Sequence, residues 1–197
     1  MTKIGIYDII TVYEKSHNMI RMIYKQMKVL IIYSTKNGCA RECASILASH
    51  IEDNFDVTLW DLASGMPDLS DYGFVVLGGG VHFGKFYKPM QQFLSQKSKE
   101  LEAIPHALYL CCADMEMAEH YIEKLFPASL RESALSSDYF GGWLKTDKHK
   151  GLWKLVIKLW RDSLTDREEP KPLPDLLDSN ISLLATKIVT WRKERDE

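Results

Sequence analysis

Continuous apolar runs alternate with amphipathic stretches of helical period, and this predicts an α/β chain. Two observations carry the prediction. "KVLIIY" (28–33) is a continuous apolar run after Lys28, as expected of a strand buried on both faces. "GCARECASILASHIED" (38–53) then puts Ala40, Cys43, Ala44, Leu47, Ala48 and Ile51 on one helical face. Strand–helix–strand units at this spacing imply right-handed crossovers and a parallel sheet with helices on both faces. The expectation is a three-layer sandwich around a five-stranded parallel sheet of order 2-1-3-4-5.

The remaining elements follow in order. "FDVTLWDL" (55–62) is the second strand and "YGFVVLGGG" (72–80) the third, ending in glycines. "KPMQQFLSQKSKEL" (88–101) is a helix with Pro89 tolerated in its first turn. "HALYLCCA" (106–113) is the fourth strand, followed by the helix "MEMAEHYIEKLF" (115–126). "LSSDYFGGWL" (135–144) is the fifth strand, and helices at 150–164 and 175–194 close the chain. Residues 1–26 mix β-branched residues with charges and read as an N-terminal extension of uncertain structure, with a helix its nearest reading; residues 27–197 form the domain.

The 197 residues suffice for one domain with a full core. The net charge of -2 provides no basic field for nucleic acid. No apolar run approaches the roughly 18 residues that span a bilayer. The N-terminus lacks a signal peptide's core and cleavage site, so a cytoplasmic location is expected. Cys39, Cys43, Cys111 and Cys112 show no zinc-type spacing. They are read as reduced, mostly buried thiols, and no metal site is expected.

In a sheet of this order, ligands bind beyond the carboxyl ends of the strands, at the switch point. Three loops therefore matter. The first, Ser34, Thr35, Lys36, Asn37, Gly38, Cys39 and Ala40, offers hydroxyls and N–H groups at a helix N-terminus, where an anion is stabilised. The second, Gly79, Gly80, Val81, His82, Phe83 and Gly84, mimics the G-x-x-x-x-G-K core of a phosphate loop with Lys85. Phe86 stands where that motif needs Ser or Thr for Mg²⁺, which argues against a phosphotransferase. The third is Cys112, Ala113, Asp114 and Met115.

"YSTKNGCARECA" resembles the flavodoxin phosphate signature, matched at Tyr33, Thr35, Gly38 and Ala44. Ala40 replaces the signature's Thr and removes one hydroxyl, at a cost of about 0.5–1.5 kcal/mol. The order of "STKNG", "VVLGGGVHFGKFYKPMQQFL", "IPHALYLCC", "FGGWL" and "TDREE" from Lys28 to Trp191 resembles the flavodoxin-like, menaquinone-dependent protoporphyrinogen IX dehydrogenase family. That resemblance implies a flavodoxin-like three-layer sandwich and FMN as cofactor, its phosphate on residues 34–40 and its ring between the second and third loops. It implies an FMN-dependent oxidoreductase of heme biosynthesis, taking a porphyrinogen-like substrate and passing electrons to a quinone or redox partner. Gly79 and Gly80 would admit the main chain to the ring edge, Phe83 or Tyr87 would stack, and His82 would place a donor near the ring. No catalytic acid or base is expected, because the cofactor carries the reactivity.

"KTDKHKGLWKLVIKLWR" (145–161) sets Trp153, Trp160 and six basic residues around an apolar face. Such a helix suits peripheral contact at the inner membrane face, a homodimer surface, or simple packing with a solvated basic side. Two rival functions stay open on sequence: an electron carrier without its own substrate, and a flavin-free binding domain.

Overall fold

The computed structural model describes residues 27–143 and 174–196. The expected extension (1–26), the basic Trp-bearing helix (145–161) and the "TDREE" turn (165–169) lie outside the described residues.

The strands are β1 (Lys28–Ser34), β2 (Asp56–Asp61), β3 (Phe74–His82), β4 (Lys85–Phe86), β5 (His106–Cys111) and β6 (Ser137–Tyr139). The helices are α1 (Cys39–Ile51), α2 (Lys88–Glu102), α3 (Ala118–Leu125), α4 (Ala128–Ser133) and α5 (Asp178–Asp196). The sheet runs β2-β1-β3-β5-β6, all parallel, and β4 pairs antiparallel with β3 alone. Counted over the parallel strands, this is the expected order 2-1-3-4-5.

Side chains alternate between the sheet faces, so each apolar run feeds two cores. Val29, Ile31 and Tyr33 join α1 and α5 through Leu47, Ile51, Ile181 and Leu184. Leu30 and Ile32 join α2 and α4 through Met90, Phe93 and Leu130 on the other face. Each fully buried Ile or Leu contributes about 1.5–3 kcal/mol. On α1 the predicted face is buried at Ala40, Cys43, Ala44, Leu47 and Ile51, with Cys39 added and Ala48 half-buried.

The fifth parallel strand keeps only Ser137–Tyr139 of the expected 135–144, and two further elements differ from expectation. The third strand does not stop at its glycines but runs to His82 and turns back through Phe83 and Gly84 into β4. Gly78 and Gly79 are strand residues with packing work. A Cβ on Gly78 would lie 1.9 Å from the Tyr109 ring, and one on Gly79 3.1 Å from Phe86. The second is α4, absent from the sequence reading. At six residues it is too short to show a helical period.

Tyr109 ties the core to the first loop. Its ring stacks on Phe140 with centroids 4.7 Å apart and planes at 16°. Its hydroxyl donates to the Ala40 carbonyl at 2.9 Å. His106 is 1 % exposed, with its ring nitrogens 2.8 Å and 3.0 Å from the carbonyls of Ile104 and Leu130.

Candidate functional site at the carboxyl edge of the sheet

Register brings the three loops to one edge. Ser34 lies level with Gly79, and Gly80 lies level with Cys111.

The first loop closes on itself. Gly38 caps α1 with φ of 90°, a conformation glycine adopts without the cost of a Cβ. The Gly38 N–H donates to Thr35 Oγ1 at 2.9 Å, and the Cys39 N–H to Asn37 Oδ1 at 3.3 Å. Thr35 therefore accepts from the chain and keeps its own O–H to donate outward. Ser34 is 1 % exposed, and its Oγ has no hydrogen-bond partner among the described residues. A buried hydroxyl in that position is poised for a ligand acceptor. Cys39 and Ala40 turn their side chains into the core, so what they can offer an anion is backbone. Arg41, next in the chain, pairs with Asp61 at 3.1 Å, and this hydrogen bond raises its already high pKa.

The second loop is a hairpin. Phe83 and Gly84 have φ of 50° and 70°, as a two-residue turn with both central residues left-handed requires. A non-glycine residue there costs about 1–2 kcal/mol. Phe83 is nevertheless 62 % exposed, and Tyr87 just beyond is 41 % exposed. The His82 and Phe83 rings lie 4.2 Å apart. Gly80 faces open space, with nothing within 4 Å of where a Cβ would stand.

Lys36 Nζ lies 3.0 Å from His82 Nε2 and joins the first two loops. An ammonium group only donates, which assigns the acceptor role to Nε2 and the ring proton to Nδ1. Lys36, Asn37, Gly80, Val81, His82 and Tyr87 line the narrow cleft so formed, about 20 Å³ in volume.

The third loop is pinned from behind. The Cys112 thiol donates to the Asp114 carbonyl at 3.0 Å, and Tyr139 Oη donates to the Cys112 carbonyl at 2.8 Å. Burial pushes the Cys112 thiol up to about 11, so it is a neutral anchor. Ala113 and Asp114 are half-buried, and Met115 is 67 % exposed. Met115 does not line the narrow cleft. It borders a neighbouring cavity of about 530 Å³ with Ala118, Glu119, Ile122, Arg131 and Tyr139.

Residues 30–171 match the flavodoxin domain family. The chain belongs to that family. Its curated relatives include the protoporphyrinogen IX dehydrogenase [quinone] of Escherichia coli (strain K12), 33 % identical over 86 residues, which cover 42 % of this chain and 47 % of the relative. The chain thus spans about half the length of the curated relatives it matches. Among solved structures it is similar to Fusobacterium nucleatum flavodoxin bound to flavin mononucleotide, with a TM-score of 0.50 and 9 % identity, over 83 % of this chain and 97 % of that one. At that identity the likeness shows the fold alone. No described helix is long and apolar enough to cross a membrane.

Sequence reasoning missed two supports of this flavodoxin-domain site. One is Tyr139, which holds the third loop. The other is Gly142, where a Cβ would lie 2.4 Å from the carbonyl carbon and oxygen of Cys112. The "FGGWL" motif held the signal, but the reason for its second glycine depends on which backbone lies against it.

Proposed function

We propose that this protein is an FMN-dependent oxidoreductase of the protoporphyrinogen IX dehydrogenase (quinone) type, acting in heme biosynthesis. One observation carries the flavin reading. The buried, unpartnered Ser34 hydroxyl and the αL-capped helix start stand at the same sheet edge as the open Gly80 backbone and the exposed rings of Phe83 and Tyr87. Hydroxyl and amide donors suit a phosphate, and exposed flat apolar groups beside open backbone suit a planar ring. The E. coli relative supports the choice of porphyrinogen and quinone.

In this reading Ser34, Thr35 and the backbone of Lys36 to Ala40 hold the phosphate. Gly79 to Gly84 and Cys112 to Met115 border the ring. FMN, when bound, supplies hydride acceptance and electron transfer to a quinone. The chain's own part is to bind, orient and exclude water. Phe83 and Tyr87 cover the ring, while His82, with Nε2 accepting from Lys36, stands beside it. The basic Trp-bearing stretch 145–161 is our candidate for contact with the membrane that holds a lipid-soluble quinone.

Purified protein mixed with FMN should give a bound-flavin spectrum, and the loaded protein should oxidise a porphyrinogen with menaquinone as acceptor. A protein still colourless in excess FMN sinks the flavin reading. Flavin binding without porphyrinogen turnover makes it an electron carrier instead.

A further inference from the structure

The sulfurs of Cys39, Cys43 and Cys111 lie within 4.8 Å of one another, all buried, and Cys43 and Cys111 are 3.5 Å apart. Among the described residues this is the one group of three His, Cys, Asp or Glu side chains whose donor atoms converge so closely. Cys39 and Cys43 are one helical turn apart on α1, and Cys111 ends β5 directly beneath them. Isolated buried thiols are ordinary small apolar packing. Three sulfurs converging on one point are a donor set.

We infer that these three cysteines form a binding site for a soft monovalent metal ion, Cu(I), held by sulfur alone. The donor type selects the ion, since soft sulfur ligands favour Cu(I), zinc or iron–sulfur chemistry over hard cations. The donor number selects further. A metal–sulfur bond of about 2.3 Å sets the sulfurs of a trigonal site about 4.0 Å apart, within the range seen here. A closed zinc site needs a fourth ligand, which the described residues do not supply.

The thiolate is the ligating form of cysteine, so each sulfur that binds the ion releases its proton to solvent. Copper stays monovalent throughout, and no oxidant or reductant is required. The inference does not depend on the flavin reading, because the three sulfurs face the core side of α1.

The test is an anaerobic titration of the full chain with Cu(I), in competition with a coloured Cu(I) chelator, followed by X-ray absorption on the copper-loaded protein. The expected result is one Cu(I) per chain with three sulfur neighbours. The variants Cys43→Ala and Cys111→Ala should each lose stoichiometric binding, and Cys112→Ser should keep it. Absence of binding to the wild-type chain, retention by the Cys43→Ala/Cys111→Ala double variant, or a nitrogen- or oxygen-dominated copper shell would each overturn the proposal. Should an alanine variant fail to fold, the wild-type sulfur count decides on its own.

Discussion

The first loop uses its side chains to satisfy its own backbone, with Thr35 and Asn37 accepting from Gly38 and Cys39. The hairpin beside it does the reverse: it holds Phe83 at φ of 50° and leaves the ring 62 % exposed. One region is organised before any ligand arrives. The other carries local strain and exposed apolar surface that only a contact can offset. Mutations of the ligand-facing groups in either region should therefore weaken binding without lowering stability, and mutations of the shared support should lower stability.

The largest effect is expected where both regions share a support. Gly78→Ala drives a Cβ into the fully buried Tyr109 ring, which also holds the Ala40 carbonyl. The loss should be about 3 kcal/mol or more, read from urea denaturation. A wild-type midpoint would show that Tyr109 is no shared support.

Next is alkaline pH, which tests the anchor behind the third loop. The folded Cys112 thiol sits at about 11, above the 9.0 of an unburied thiol. Below about pH 9 both states hold the proton, and this stabilisation is complete. Between about pH 9 and 11 the unfolded chain loses its proton first, so stability falls, by roughly 2–3 kcal/mol in all. Cys43 and Cys111 push the same way. Unfolding midpoints at neutral and alkaline pH measure the fall, and Cys112→Ala should shrink it.

Phe83→Gly should split the two quantities. Relief of the left-handed strain should raise stability by about 1 kcal/mol. Loss of the aromatic contact should weaken FMN binding by up to about tenfold. Thermal denaturation and flavin titration of one preparation check both signs. If both quantities fall, the phenyl ring is structural.

Ser34→Ala is the smallest change and the sharpest contrast. The hydroxyl has no partner among the described residues, so its removal should leave unliganded stability level or slightly higher. FMN affinity should drop by about a factor of ten. A clear stability loss in the unliganded protein would show that Ser34 has a structural partner after all.

Much of this was legible in the residues. The runs "VLIIY" and "ALYLCC" are apolar because both sheet faces are covered. The α1 face was visible in the spacing from Ala40 to Ile51. "STKNG" announced a capped helix start, because Gly38 is the residue that takes φ of 90° there without strain. The hairpin was not legible. "GGGVHFGKF" reads as a loop because glycine is rare inside strands, and Gly78 and Gly79 make sense only once Tyr109 and Phe86 lie against them.

What the sequence determined by itself is thus local: apolar periods, a helix cap, and the strand order that a parallel sheet of this length adopts. What the tertiary structure decided is which atoms meet across the sheet. Cys39 and Cys43 are neighbours by helical spacing, but their third sulfur is 68 positions beyond Cys43 and arrives only through the packing of α1 over β5. Lys36 finds His82 across 46 positions in the same way. Local propensity acts over one turn or one strand, whereas a site is assembled by register and packing, which no short stretch of chain encodes.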